Sequence, residues 1–488
     1  MKSIKHNVIV NGILSVANII FPLITFPYIS RVLGVEANGA LNFANATVNY
    51  FSLFATLGLS TYGIKACAKV RDDRRQLSKT VHELLLINLV TTTLASVALI
   101  IAIICIPRYR DSWMLLFIYS WGMVLNVAGL NWLYSAVEQY DYITKRSIAF
   151  KLLGVILMFI FVHKPSDYIA YAIITVIANV GGNILNIIYS KKYIDFKWFG
   201  NYEIKEHLKP TLAMFATYLA VNVYSNLDSV MLGFIQNDYQ VGIYTAAVKV
   251  RSILTTLITS IGTVLLPRMS YYIYNDEIDE FKKLLKKSYS TIIMIAFPMM
   301  IYFILVAKPS ILFLSGSQYL DSVTPMKILM PIMLISSLSN ITGMQILIPI
   351  GKENRFAISV TCGAIVDLVL NIILIPKYGA NGAAVGTLCA EVVQFSMQVI
   401  FTSKYLKGTL SGVDTIKVFV ASIISVAGYV IASLLYKGNA FITLVITAVM
   451  YFGIYALCLV VVKYEIFNEL LNMILKPLKN NKQRHYIK

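Results

Sequence analysis

Charge is scarce in this chain, and acid is scarcer than base. Asp and Glu number 24 against 42 Lys and Arg over 488 residues, and charged residues of every kind make up only 14%. Soluble domains carry about a quarter of their residues as charges, so little of this chain is left for one. Cysteine is equally sparse. Cys67, Cys105, Cys362, Cys389 and Cys458 form no CxxC pair and join no Cys/His cluster, which argues against a disulfide frame and a zinc site. His6, His82, His163, His207 and His485 are scattered. The Walker lysine motif, GxSxG and HExxH are all missing. An ATP-driven pump in one chain is thereby excluded, and an enzyme is left without a nucleophile–base pair.

What the chain has is apolar length. Hydrophobic residues are 58% of the sequence and the mean hydropathy is +0.71. A bilayer span needs about 20 mostly apolar residues. Such stretches fall at 8–33, 40–64, 82–106, 112–136, 147–163, 168–190, 210–233, 241–266, 289–307, 325–350, 356–375, 382–403, 415–436 and 440–462. The expected fold is therefore an all-α polytopic membrane protein with 14 transmembrane helices. The first stretch is too long for the core of a cleavable signal and is expected to be span one.

Lys and Arg alternate between high and low from loop to loop. With the N-terminus placed in the cytoplasm, about 32 of the 42 basic residues lie on the inner side and about 8 outside, while Lys249 and Arg251 fall within a span. By the positive-inside rule both termini are cytoplasmic. The net charge of +18 is then topology, aided by anionic lipid headgroups, and calls for no nucleic acid. Segments 277–288 and 466–474 set apolar residues opposite lysines at helical spacing and are expected as amphipathic helices on the inner leaflet.

A repeat organises the spans. Ser30-Arg31-Val32-Leu33-Gly34 ends span one and a turn leads to Asn38-Gly39-Ala40-Leu41; Ser229-Val230-Met231-Leu232-Gly233 ends span seven and its turn leads to Val241-Gly242-Ile243-Tyr244. A third turn, Tyr378-Gly379-Ala380-Asn381-Gly382, joins spans eleven and twelve. Six spans separate the first two copies, an even number, so the repeat is parallel with its axis along the membrane normal. The expected organisation is a six-helix lobe over 1–200, a second over 201–408, and two extra helices with a basic tail over 409–488.

Phe26-Pro27-Tyr28-Ile29-Ser30-Arg31-Val32-Leu33-Gly34, Tyr62-Gly63-Ile64 with Ala68-Lys69-Val70-Arg71-Asp72, and Gly343-Met344-Gln345-Ile346-Leu347-Ile348-Pro349-Ile350-Gly351-Lys352-Glu353 carry a resemblance. They resemble the Wzx-type polysaccharide-unit flippases of the multidrug/oligosaccharidyl-lipid/polysaccharide (MOP) exporter superfamily, over nearly the whole chain. The resemblance implies a transporter, not an enzyme, in the bacterial cytoplasmic membrane. Its substrate would be a sugar repeat unit on undecaprenyl pyrophosphate, moved from inner to outer leaflet for capsule, O-antigen or another surface glycan. The partners implied are that lipid-linked oligosaccharide, membrane lipids, and the polysaccharide polymerase and chain-length machinery.

Such cargo needs cations for its phosphates and amides or hydroxyls for its sugars. Asn42, Asn45 and Asn49 share a face of span two; Asn179, Asn183 and Asn186 repeat the pattern on span six; and Tyr218, Asn222 and Asn226 do so on span seven. These stripes either line a wet cavity or glue helices together. Lys249 and Arg251 lie roughly 12 and 15 Å into span eight, while Arg31 and Lys65 stand at span ends, where snorkelling competes with substrate contact. Asp228, Asp367, Asn371 and Glu391 offer hard oxygens, and the resemblance adds coupling to Na⁺ or H⁺. A buried pair between Asp367 or Glu391 and Lys249 or Arg251 is the competing reading. No other cofactor is expected.

Alternating access about a cationic cavity is the function expected first. A peptidoglycan-precursor flippase and an ion-coupled multidrug efflux carrier remain within the same superfamily, although a carrier of cationic drugs should display acids and aromatics. An integral-membrane glycan polymerase or ligase would need a large outer loop, and the longest here is about 308–324.

Overall fold

The computed structural model describes residues 4–407, 412–436, 438–469 and 471, and among them the chain is helical with no strand. It divides into two compact units, Met1–Thr245 with Leu370–Ala383, and Ala246–Val369 with Ala384–Lys488. These units are drawn by packing rather than by repeat, so their limits differ from the lobe boundaries expected near 200 and 408. The start of span eight and the end of span eleven pack with the first unit.

In the first unit α1 (Ile4–Thr56) runs through both of the first two expected spans and breaks at Gly34, whose φ of 77° lies in the left-handed region. A broken helix in hydrocarbon must satisfy its freed carbonyls internally. The buried side chain of Asn38 does this, donating to the Gly34 carbonyl at 2.9 Å. Gly58, at φ 74°, separates α1 from α2 (Leu59–Lys69). α3 (Arg74–Cys105) is capped by Asp73, which accepts from the amides of Arg75 and Gln76 at 2.9 and 3.1 Å. In the loop after span six, the Arg74 guanidinium holds the Asp195 carboxyl below the usual carboxylate range.

Next come α4 (Pro107–Asp111), α5 (Trp113–Val127), α6 (Asn131–Ala136) and α7 (Tyr140–Phe161). Leu59 and Cys67 of α2, Leu77, Val81 and Leu84 of α3, and Trp132 of α6 form one buried cluster at the end that carries the basic loops. Gly63 is needed there, because a Cβ would stand 2.9 Å from the Trp132 ring. Within that cluster the buried Glu83 carboxylate accepts from the Glu203 amide at 2.7 Å and meets His207 at 2.9 Å, and His207 in turn meets the Tyr62 hydroxyl at 2.8 Å. This chain fastens α10 (Ile204–Ile235) to α2 and α3. Between them, α8 (Tyr168–Val176) and α9 (Asn183–Ser190) are joined through a π-helical turn at Ile177–Gly181.

The second unit takes most of α11 (Asp238–Tyr274), then α12 (Ile278–Leu305), α13 (Ala307–Leu314) and α14 (Val323–Asn340). A π-helical turn at Ile341–Leu347 leads to α15 (Glu353–Tyr378) and α16 (Ala380–Leu406), and α17 (Gly412–Leu435) and α18 (Ala440–Val461) follow. Tyrosine hydroxyls dock the last two helices onto α12. Tyr455 donates to the Met294 carbonyl at 2.7 Å, Tyr302 to Leu444 at 2.8 Å and Tyr429 to Leu305 at 3.2 Å. Each couples ring burial to a satisfied polar tip. The fully buried Gln398 of α16 binds three elements at once, accepting from Ser339 at 2.9 Å and Thr342 at 2.6 Å and donating to Ser359 at 3.2 Å.

Eleven helices among the described residues are long and apolar enough to cross a membrane, against the fourteen expected. One of the eleven, Gly12–Lys69, carries two expected spans. α7, at expected span five, holds Lys145, Arg146 and Lys151, and α10, at expected span seven, qualifies only over Asn226–Ile235 as a shorter apolar helix. The expected surface helix at 277–288 needs correction. It is the first part of α12, continuous with span nine, and its apolar residues Phe281 and Leu285 are buried in protein rather than laid on lipid. Of the expected helix at 466–474, Ile466 and Phe467 pack beside Tyr464, whereas 470 and 472–474 lie outside the described residues.

Candidate functional site

The three glycine-bearing turns of the repeat meet one another inside the first unit. A Cβ on Gly39 would overlap the Asp238 carbonyl oxygen, one on Gly242 the Val35 carbonyl oxygen, and one on Gly233 the Phe43 ring. The helices cross backbone to backbone, which only glycine permits. The third turn joins through Gln236, which donates to the Ile375 and Pro376 carbonyls at 2.9 and 3.1 Å, and through Gln240, which accepts from the Ala380 amide at 2.9 Å. Arg108 of α4 closes the seam. It pairs with Asp238, donates to the Gly233 carbonyl at 2.9 Å and lies 4.5 Å above the Phe43 ring. A cleft of about 560 Å³ opens beside it, lined in part by Glu36, Asp111, Trp113 and Tyr168.

Beneath the seam is a buried polar node. Both carboxylate oxygens of Asp228 are engaged, one by the Tyr244 hydroxyl and the other by the Asn371 amide at 2.7 Å. Asn371 is fully buried, and its own side-chain oxygen accepts no hydrogen bond. Two of the expected coupling residues, in helices far apart in sequence, are thus brought together. Asp367, also fully buried, lies one turn earlier on α15, and Glu391 is buried on α16. Among the described residues no three His, Cys, Asp or Glu side chains cluster as metal ligands, so a cation here would rest on mixed oxygen donors.

The expected substrate residues divide. Asn45, Asn49, Lys65 and Asn226 make no hydrogen bond or ion pair among the described residues; Asn45 and Lys65 are exposed, Asn49 and Asn226 half-buried. Asn42 donates to the Asn38 carbonyl of its own helix at 2.7 Å, and Arg31 to the Pro27 carbonyl at 2.6 Å. The side chains of Asn222 and Tyr218 lie outside the described residues. Asn183 and Asn186 act as glue. They donate to the Leu125 and Gly129 carbonyls across the helix packing, leaving Asn179 alone exposed on that stripe. Lys249 and Arg251 are half-buried on α11. Arg251 forms no ion pair with Asp367 or Glu391, and its Nε is buried without a hydrogen-bond partner.

Two cations were not expected as part of any site. Arg146 and Lys151 both lie inside α7, where the sequence assigned them to the inner loop and its edge. Lys151 reaches Asn18 of α1 and lies 6.0 Å above Phe21. Neither has a carboxylate partner among the described residues. Lys151 stands eleven residues past the start of α7 and four past the start of the expected span 147–163, which was the only signal available; Arg146 lies just before that span.

The polysaccharide biosynthesis protein family matches residues 4–273, more than half of the chain. The chain belongs to that family. Two curated relatives bear the name "Putative O-antigen transporter". The one from Escherichia coli (strain K12) is 25% identical over 370 residues, 75% of this chain and 89% of the relative. The one from Shigella dysenteriae is 28% identical over 378 residues, 75% of this chain and 91% of the relative. Among solved structures, an inward closed lipid II flippase, MurJ, aligns with a TM-score of 0.72 at 16% identity, covering 96% of this chain and 99% of its own. An inward-facing multidrug-resistance transporter of the MATE family aligns with a TM-score of 0.63 at 16% identity, covering 80% and 96%. At those identities the structures speak for fold alone. Together these matches bear out the Wzx-type resemblance, and this member of the polysaccharide biosynthesis protein family is a polytopic membrane protein.

Proposed function

We propose that this family member is a flippase carrying oligosaccharide repeat units, linked to undecaprenyl pyrophosphate, across the cytoplasmic membrane by alternating access for surface polysaccharide assembly. It would cross the membrane fourteen times, as two six-helix lobes and two further helices, with both termini in the cytoplasm. One observation carries the reading. Arg146, Lys151 and Arg251 stand within helices at expected spans and have no carboxylate partner among the described residues. A charge inside a membrane span is costly, so cations kept there are functional by default. A transported pyrophosphate supplies the missing charge. A carrier of cationic drugs would show the opposite sign. The open amides of Asn45, Asn49 and Asn226 suit sugar hydroxyls, and the Asp228–Tyr244–Asn371 node of the first unit suits a coupling Na⁺ or H⁺; in the second unit the buried carboxyls of Asp367 and Glu391 suit the same ions. Polysaccharide polymerase and chain-length machinery would receive the product.

Replacing Arg251 or Lys249 by alanine is expected to reduce surface glycan to background in cells lacking the native gene, with membrane abundance preserved. Lipid-linked units should accumulate on the inner leaflet. Undiminished export in both variants, or export restored by adding Glu391→Gln to Lys249→Ala, would contradict the pyrophosphate role.

A further inference from the structure

Four tyrosines form a nest at the basic-loop end of the first unit. Tyr142 of α7 stacks on Tyr189 of α9 with ring centroids 4.1 Å apart, Tyr134 lies 5.0 Å from Tyr142, and Tyr193 lies 5.8 Å from Tyr189. Two cations attend them: Arg146, 6.0 Å from the Tyr142 ring, and Lys192, 5.8 Å from both Tyr189 and Tyr193. The backbone is shaped for the arginine. A Cβ at Gly182 would stand 2.9 Å from the Arg146 Cδ, so any side chain there would displace the stem.

The polar atoms of this nest are unevenly satisfied. Arg146 donates to Asn131 at 3.1 Å and to the Ser147 hydroxyl at 3.4 Å. Its Nη1 is nevertheless buried without a hydrogen-bond partner, and so is the Tyr142 hydroxyl. The nearby acids are committed elsewhere, Asp141 to His6 and Glu138 to Arg71, each at 2.8 Å. Neither Arg146 nor Lys192 has an ion pair among the described residues. A guanidinium and an ammonium donate only, and a phenol donates readily. Two buried donors and two cations without an ion pair together describe a receptor for an anion rich in acceptor oxygens.

We propose that Arg146 and Tyr142, with Lys192, form a loading subsite that takes the pyrophosphate of the lipid-linked glycan at the cytoplasmic end of the first unit. The identity of the anion rests on the flippase reading; the donor geometry does not. Arg146 would hold phosphate oxygens through its fork, Tyr142 would donate to a further oxygen, and Lys192 would compensate charge from the rim.

The test uses the full-length protein in nanodiscs with farnesyl pyrophosphate as probe and farnesol as its uncharged control. Arg146→Gln should weaken probe binding about 10- to 100-fold and Tyr142→Phe about 3- to 10-fold, with farnesol binding unchanged. Tyr142→Phe keeps the ring stack, so it reports on the hydroxyl alone, and Arg146→Lys should recover part of the affinity should Arg146→Gln fold poorly. If both variants bind the probe like wild type while Arg251→Ala does not, the subsite is wrong and the flippase reading stands. If the wild-type protein prefers the probe no more than farnesol, and deleting the gene leaves surface glycan intact, both fall.

Discussion

Alanine at Gly242, or at Gly39, will abolish glycan export and destabilise the protein, although alanine is the better helix former by about 1 kcal/mol. The Cβ of either substitution falls on a backbone carbonyl of the opposing helix, Val35 for Gly242 and Asp238 for Gly39. Backbone cannot step aside as a flexible side chain can, so the crossing must widen. Overpacking of this kind costs about 1–3 kcal/mol. Widening would also draw Arg108 away from Asp238 and the Gly233 carbonyl and part the contacts of Gln236 with α15. A transporter that works by alternating access must close this end of its path in one half of the cycle, so a seam held open stops turnover. Gly122→Ala and Gly453→Ala are the controls, since a Cβ at either meets nothing within 4 Å. They should export normally with equal or higher melting temperature. Surface-glycan staining and thermal unfolding in detergent check both halves. Normal export by Gly242→Ala would refute the seam as a moving part.

Substitution of Asp228 should separate structure from coupling. Asp228→Ala leaves the Tyr244 hydroxyl and the Asn371 amide buried without their acceptor, at about 1–3 kcal/mol for each donor, and is expected to reduce both folding and export. Asp228→Asn preserves shape and retains one acceptor oxygen. If the node holds a coupling cation, this variant should fold almost normally yet lose the dependence of export on the Na⁺ or H⁺ gradient. Asn371, whose side-chain oxygen accepts nothing, would then be the second ligand, and Asn371→Ala should have the same effect. Gradient-dependent export by Asp228→Asn would remove Asp228 from the coupling step.

The helices were legible because hydropathy and loop charge act locally, and each expected span has a helix at its place. Gly39 and Gly242 were legible as a repeated turn, but one sequence could not show that the two copies pack on each other. Asn183 and Asn186 illustrate the limit of periodicity. Spacing shows that amides share a face, not whether the face meets a helix or a cavity, and theirs meets the carbonyls of α5 and its end. Arg146 and Lys151 were missed because a cation near a span edge counts as loop until a neighbouring helix shows how deep it stands. Arg108 was missed for the same reason, since its partners at Gly233 and Asp238 are more than a hundred residues away. The tyrosines of α12, α17 and α18 read as ordinary apolar bulk. Their hydroxyl bonds to carbonyls on other helices have no signature in composition.

The central claim is that this protein moves a polyprenyl-pyrophosphate-linked oligosaccharide between leaflets. It is tested most directly by reconstitution into sealed liposomes with a fluorescent short-chain polyprenyl-pyrophosphate glycan, followed by an external quencher that cannot cross the bilayer. With wild-type protein, quenching should proceed beyond the outer-leaflet pool until nearly all of the label is reached, and Gly242→Ala should leave the inner pool protected. Quenching that stops at the outer-leaflet pool with well-folded wild-type protein, under an imposed ion gradient as well as without one, would contradict the account.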